Sequence, residues 1–353
     1  MTEPGRPPYP GVIPLRPLGV GEILDGAVSY FRASPKATLG LSAVVVAFSQ
    51  LIQVPLVYRL PDTRLGTTPS LTDAFSSDQV ITIASGGILS YLVNTLLSGM
   101  LITVMARAVL GRRPTLAAAW SRIRPRLAGL FGVTLLVGLV IFAAMMVAVG
   151  PLIIGIGLGA PAVANVLSGL LFIPLGLCLV VFVSVSLSIA TPAYVLEKIS
   201  ARAALGRSMR LVCPQWWRVF GILLLATILA WVIGAIIAFP FGVGAALISV
   251  IQGGDLRNLT LLALVILSVG TIVVRSITAP FAAGVVSLLY IDQRFRREAL
   301  DLDLLNAVAQ VAQPEPGGGA SREAMAEPNE IDRVWLLAPS APGPGWAMGY
   351  EPR

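Results

Sequence analysis

The hydrophobic residues of this chain are concentrated in six long stretches that are separated by more polar segments. A membrane-spanning helix needs about 20 mainly apolar residues, and every stretch reaches that length. Several are longer, which favours tilted or kinked helices, and their prolines are tolerated where neighbouring helices satisfy the freed carbonyls. The pattern predicts an all-α, polytopic integral membrane protein with about six transmembrane helices, over residues 38–58, 80–106, 127–157, 163–190, 219–250 and 259–290.

The segments between these stretches alternate between arginine-rich and arginine-poor. The segment 107–126 carries six arginines and no acid, whereas the turn at 158–162 carries no charge. Cytoplasmic loops of membrane proteins collect arginine and lysine. The alternation therefore predicts an even number of crossings with both termini in the cytoplasm.

An internal repeat of about 90 residues is visible in the same pattern. Each copy begins with an amphipathic segment of helical spacing that precedes a pair of apolar stretches. We expect these segments to be interfacial helices on the inner leaflet, with Phe31, Trp120 and Leu205 in the acyl boundary. The predicted architecture is three interfacial-helix-plus-hairpin repeats, whose amphipathic segments are 22–33, 115–127 and 200–212.

The composition agrees with a membrane protein and divides the chain into segments. Of the 353 residues, 56% are hydrophobic and only 12% are charged, which is too little polar surface for a soluble particle. The first 37 residues contain no apolar signal-peptide core, so no cleavable signal is expected. After about residue 313, Pro, Gly, Ala, Ser and Glu dominate and predict disorder. The predicted segments are a cytoplasmic N-terminal segment with an amphipathic helix (1–37), the six-helix transmembrane domain (38–290), a cytoplasmic helix (291–312) and a disordered cytoplasmic tail (313–353).

The residue types exclude several kinds of chemistry. The chain has no histidine, which removes the commonest general base and the commonest metal ligand. Its two cysteines, Cys178 and Cys213, form no spacing motif. No nucleophile–base pair or pair of acids shares a span. We therefore expect no enzyme activity, no cofactor and no metal. The net charge of +7 is assigned to membrane topology, so no nucleic acid is expected as a partner.

Three segments carry a resemblance to a known family. They are RPLGVGEILDGAVSYFR at 16–32, PAYVLEKISARAALGRSMRLV at 192–212 with WWRVFGILLL at 216–225, and LLYIDQRFRREALDLDL at 288–304. They resemble an actinobacterial family of uncharacterised polytopic proteins that is described as similar to the glycerophosphoryl diester phosphodiesterase membrane domain. The resemblance covers residues 14–305 and implies a multi-pass protein of the plasma membrane. It does not imply phosphodiesterase activity, because the family's catalysis belongs to a separate soluble domain.

Arginines are the candidate ligand contacts. Arg275 is the one ionisable residue deep in a predicted span, where a charge is costly and often functional. It would contact an anionic lipid or substrate, or it would cap carbonyls freed by Pro280. The arginines of the basic loops are further candidates for anionic head groups, although they would also fix the topology on their own. This second group is Arg122, Arg124, Arg207 and Arg210.

Two main functional hypotheses remain open. The first is a non-catalytic membrane module that organises anionic lipid, or an unknown protein partner, in the bilayer. The alternative is a transporter or lipid translocator that uses Arg275 in its pathway. A polar path through several spans would favour transport, and only Arg275 supports it. The residues support a third hypothesis, a phosphodiester hydrolase, least.

Overall fold

The computed structural model describes residues 18–33, 35–58, 90, 93, 95–103, 124–251 and 260–298. These residues are almost entirely helical and include no strand, as the apolar pattern predicts. Residues 95–103 are helical, and short 3₁₀ turns precede the helices that start at residues 127 and 216. The helices with both ends described are α1 (Val20–Ala33), α2 (Pro35–Tyr58), α3 (Leu127–Gly157), α4 (Ala162–Ser186), α5 (Ala190–Glu197), α6 (Ala201–Val212), α7 (Trp216–Ile251) and α8 (Leu261–Glu298).

Five helical stretches of the described chain are long and apolar enough to cross a membrane. They are Thr38–Pro55, Arg124–Gly157, Ala162–Glu197, Ala201–Ile251 and Leu261–Glu298. Most of the predicted second span, and most of the amphipathic segment 115–127, lie outside the described residues. The multi-pass helical architecture is therefore supported, whereas the count of six and the threefold repeat stay predictions. The predicted tail at 313–353 also lies outside the described residues.

Two long helical hairpins, α3–α4 and α7–α8, form much of the bundle, and small residues let their helices approach closely. A Cβ atom on Gly176 of α4 would collide with the backbone of Ala148 in α3. A Cβ atom on Gly270 of α8 would lie 2.7 Å from the Phe241 ring of α7. These glycines are therefore required by close packing.

The buried core lies toward one end of the bundle. From Pro280 to Phe295, α8 is buried almost without a break, and it contacts α1, α2 and α7 along its length. The opposite halves of the two hairpins expose large apolar side chains such as Leu170 of α4 (72%) and Phe239 of α7 (72%). Exposed apolar surface of this kind suits a helix surrounded by hydrocarbon.

The amphipathic helices α1 and α6 pack on protein, where the sequence predicted lipid. Ile23 and Ala27 of α1 are fully buried in one core cluster. Ala204 of α6 is fully buried in a second cluster, against which Leu205 packs partly buried. Ser200 caps α6, because its hydroxyl accepts a hydrogen bond from the Ala203 amide at 3.4 Å. The prediction failed because an apolar helical face fits a neighbouring helix as well as it fits acyl chains. The side chain of Phe31, and Trp120, lie outside the described residues.

Helix α8 continues without interruption from Leu261 to Glu298. The predicted boundary between the transmembrane domain, ending at 290, and a separate cytoplasmic helix at 291–312 does not coincide with a helix end. The residues after 298 lie outside the described part of the chain.

Candidate functional site

A groove of about 410 Å³ runs between α7, α8 and the helical residues 95–103. We call it the α8 groove. This volume falls within the usual range for small-molecule sites, roughly 300–1,000 Å³. Its lining is mostly apolar and is formed by Leu97, by Leu223, Ala226, Thr227 and Ala230 of α7, and by Arg275, Thr278, Ala279, Ala282, Val285 and Val286 of α8.

Alanines create the space, because their short side chains leave room where α7 and α8 would otherwise interdigitate. Ala226 and Val285 are buried and form the floor, at 6% and 1% exposure. Thr227 and Ala282 are exposed at the rim. The groove therefore opens sideways, toward the surface that the apolar helices present to lipid.

Arg275 is exposed, lines the groove and lies near the middle of α8. It follows Leu261 by 14 residues, which is about 21 Å along a helix. It precedes Asp292 by 17 residues, or about 25 Å. The prediction from sequence that Arg275 occupies the middle of an apolar helix therefore agrees with its position in α8.

The hydroxyl groups near Arg275 are engaged within their own helix. Ser276 donates to the Ile272 carbonyl at 2.6 Å, and Thr278 donates to the Val274 carbonyl at 3.0 Å. Thr227 does the same on α7, to Leu223 at 2.7 Å. These hydroxyls donate to backbone carbonyls, and the guanidinium supplies the positive charge of the groove.

A first ionic cluster, the Leu18 clamp, lies at the buried end of α8. The carboxylate of Asp292 accepts the Leu18 amide at 2.9 Å and forms ion pairs with Arg218 and Arg296. Both arginines also donate to the Leu18 carbonyl, at 2.8 Å and 3.0 Å. One fully buried acid thereby joins the residues preceding α1 to the start of α7 and to the last turns of α8.

A second cluster, the Glu197 network, joins the end of α5 and the middle of α6 to the same turns of α8. Arg207 donates through Nε to both Glu197 oxygens at 3.0 Å and forms an ion pair with Glu298. Tyr290 donates to Glu197 at 2.6 Å, and Arg294 pairs with Glu298 at 2.9 Å. Two acids balance two arginines, so the cluster is neutral overall.

The clamp and the network define what we call the ionic end of the bundle. Sequence reasoning missed both clusters, although two signals were available. Glu197 is the sole acid between residues 79 and 254, and Asp292 with Arg296 has the four-residue spacing of a helical ion pair. The pairing of Glu197 with α8 joins residues 93 positions apart, which no local pattern reveals.

Gln293 lies at the ionic end, fully buried, and both polar atoms of its side-chain amide lack a hydrogen-bond partner among the described residues. Leaving a buried amide unpaired costs about 1–3 kcal/mol. Gln293 is 18 residues after Arg275, which is five helical turns, so both lie on one face of α8.

The predicted candidate arginines are in different environments. Arg275 lines the groove, and Arg207 is held in the Glu197 network with only 16% of its side chain exposed. Arg210 is exposed on α6, and Arg124 is exposed ahead of α3. Arg122 lies outside the described residues. The structure therefore does not bring these arginines into one site, and Arg207 already has acidic partners.

No group of three or more Cys, Asp or Glu side chains that could hold a metal occurs in the described part of the chain. Cys178 and Cys213 are both free and exposed. The α8 groove combines a mostly apolar lining with one guanidinium group, that of Arg275.

Comparison of the chain with protein-family models, with curated proteins and with solved structures found no match.

Proposed function

We propose that this chain is a non-catalytic integral membrane module of the plasma membrane that binds and organises anionic lipid. The observation that carries the proposal is Arg275 at the rim of an apolar groove in the middle of α8. A charged side chain at the centre of a bilayer costs at least about 2.5 kcal/mol. An anionic head group would offset this cost, and the apolar groove would accept the attached chain.

The exposed basic side chains at the ionic end support the same function. Arg124 and Arg210 are exposed, and cationic residues near an anionic leaflet contribute about 1 kcal/mol each. We propose that this end faces the cytoplasm, as the distribution of arginine among the loops predicts. Arg207 contributes to the fold of this end, because its guanidinium is paired with Glu197 and Glu298.

Native mass spectrometry of the protein purified in matched detergent tests the role of Arg275. Arg275→Leu removes the charge, and Arg275→Lys keeps the charge but loses the planar fork that binds phosphate through two donors. We expect both variants to retain less co-purified anionic lipid than the wild type, with a larger loss for leucine. Arg210→Leu removes an exposed arginine of α6 that contributes a weaker contact, and it should lose less lipid than Arg275→Leu. Equal retention in wild type, Arg275→Leu and Arg275→Lys would contradict the proposal.

A lipid translocator that uses Arg275 is the second candidate. The depth of Arg275 favours it, because a head group that crosses the bilayer must pass the middle. The hydroxyls of α8 oppose it, since Ser268, Thr271 and Ser276 all donate to carbonyls four residues earlier and form no continuous polar path along this helix. The test measures the rate at which a fluorescent anionic lipid exchanges between the two leaflets of liposomes. If the protein does not change this rate, translocation is excluded and the proposal of a lipid-binding module remains.

A further inference from the structure

We propose that the α8 groove binds a single alkyl chain of an anionic amphiphile, with the anionic head at Arg275 and the chain directed toward the ionic end. This inference rests on the proposed lipid binding and adds the orientation of the ligand. The shared chemistry is an anionic head with an unbranched alkyl chain, which a phospholipid or a long-chain fatty acid would both supply.

The orientation follows from the distribution of polarity along the groove. Helices α7 and α8 are antiparallel, and a Cβ atom on Gly234 of α7 would lie 3.2 Å from Val274 and 4.0 Å from Thr278 of α8. Arg275 and Ala230 therefore share one end of the groove. The opposite end, toward the ionic end, is lined by Leu223, Val285 and Val286.

The groove between these ends suits an alkyl chain. From Arg275 to Val285 is ten residues, which is about 15 Å along α8. Ala226, Ala279 and Ala282 line this length without projecting into it. In the reverse orientation the charged head group would lie among the aliphatic side chains of Leu223, Val285 and Val286. The end of the alkyl chain would then lie beside the guanidinium of Arg275. This orientation is disfavoured, because a buried charge without a polar partner is costly.

The α8 groove is closed toward the ionic end, at Leu289. Arg275, Ala282 and Leu289 follow one another at seven-residue steps, so they lie on nearly the same face of α8. Arg275 and Ala282 are exposed, whereas Leu289 is fully buried in the same core cluster as Ile102. A chain entering from the side therefore meets packed aliphatic residues before it reaches the ionic end. This arrangement retains a ligand and does not conduct it through the bundle.

Photolabelling of the full-length protein in detergent tests the orientation. The probe is a long-chain fatty acid with a diazirine either beside the carboxylate or at the far end of the chain. An anionic phospholipid and a zwitterionic phospholipid, labelled at the same two positions on one chain, form two further arms. We expect the head-proximal label to attach near Ala230 and Thr278, and the terminal label to attach near Leu223 and Val286. Labelling by the fatty acid alone, the anionic phospholipid alone, or both supports the proposal and identifies the source of the head group.

Two variants make this test specific to the groove. Ala282→Leu fills the rim without a change in charge and should remove labelling at both positions, whereas Ala143→Leu, on the exposed surface of α3, should leave it unchanged. Arg275→Leu should weaken labelling about tenfold, the loss expected for one charge-assisted contact.

The reverse order of labelling would overturn the orientation, as would equal labelling by the zwitterionic lipid. The labelling order in the wild type decides the question even if a variant does not fold. Retention of anionic lipid in mass spectrometry without the ordered labelling would overturn this inference alone. Absence of retention there would overturn the proposed function itself.

Discussion

Asp292 connects three separate parts of the chain through a single carboxylate. It is fully buried, accepts the Leu18 amide, and pairs with Arg218 and Arg296, whose side chains are 26% and 28% exposed. Removing one partner of a buried ion pair is far more costly than the net contribution of the pair, because the remaining charges lose their counter-ion. Two arginines depend on this one acid.

Asp292→Asn should therefore lower the free energy of unfolding by about 3 kcal/mol, the lower end of the range for a broken buried pair because both arginines reach solvent. The amide is nearly isosteric and keeps an oxygen for the Leu18 amide, so the change isolates the charge. Thermal unfolding of the purified protein in detergent measures the effect. Asp25→Asn is the control, since Asp25 is exposed on α1, and its melting temperature should match the wild type. Equal melting temperatures for the two variants would show that the clamp contributes little.

The helix pairs α3–α4 and α7–α8 depend on close approach of their backbones at glycines as well as on the packing of larger side chains. On α4, Gly176 lies where an added Cβ atom would meet the main chain of Ala148, and a main chain cannot move aside as a flexible side chain can. Helices in lipid lack the hydrophobic driving force of water, so van der Waals packing between backbones carries more of their association.

Gly176→Ala should accordingly destabilise the α3–α4 hairpin by about 1–3 kcal/mol, the usual cost of overpacking. Gly242→Ala in α7 is the matched control, because nothing lies within 4 Å of its added Cβ atom. The control should be neutral or slightly stabilising, since alanine favours a helix by about 0.5–1 kcal/mol over glycine. Thermal unfolding in detergent compares the two. A loss of stability in Gly242→Ala as large as in Gly176→Ala would remove the packing explanation.

The helices themselves could be predicted from the sequence, but the faces that pack could not. Apolar length identifies a spanning helix locally, which is why α3, α4, α7 and α8 correspond closely to predicted stretches. An amphipathic period does not say what covers its apolar face, so α6 was assigned to lipid and in fact packs on protein. The α8 groove depends on alanines of two helices at matching heights, and that register appears only when α7 and α8 are paired.

The two ends of the molecule differ in character. At one end Leu18, Glu197, Arg218 and Asp292 belong to two ionic clusters that both include the last turns of α8, so the segments that carry them lie on the same side of the bundle. The other ends of the long hairpins are apolar and exposed. A bilayer fits this asymmetry if the ionic end faces an aqueous phase and the hairpins enter the hydrocarbon.

The described residues 90, 93 and 95–103 bear on the predicted second span over 80–106. Gln53, near the far end of α2, donates to Ser90 at 2.6 Å. Ile102 packs in the core cluster that contains Leu18, and Arg126 donates to the Lys198 carbonyl at 3.2 Å. The chain has therefore returned to the ionic end by residue 102, along the helical residues 95–103. A second span over 80–106 is the proposal that accounts for this return.

This path predicts the outcome of topology mapping for the whole protein. Reporter fusions near residues 118, 205 and 310 should report the cytoplasm, because the distribution of arginine along the sequence predicts that side for all three segments. Of these positions, residue 205 is described, and it lies on α6 at the ionic end. Fusions after residues 70 and 255 should report the external side, since each follows a helix that leaves the ionic end. A cysteine-labelling series at the same positions, in a variant with Cys178 and Cys213 replaced by serine, provides an independent readout. An external signal at 118 would place the most basic loop on the wrong side. It would also disagree with the hydrogen bond from Arg126 to the Lys198 carbonyl, because these two residues must lie on the same side of the membrane to form it.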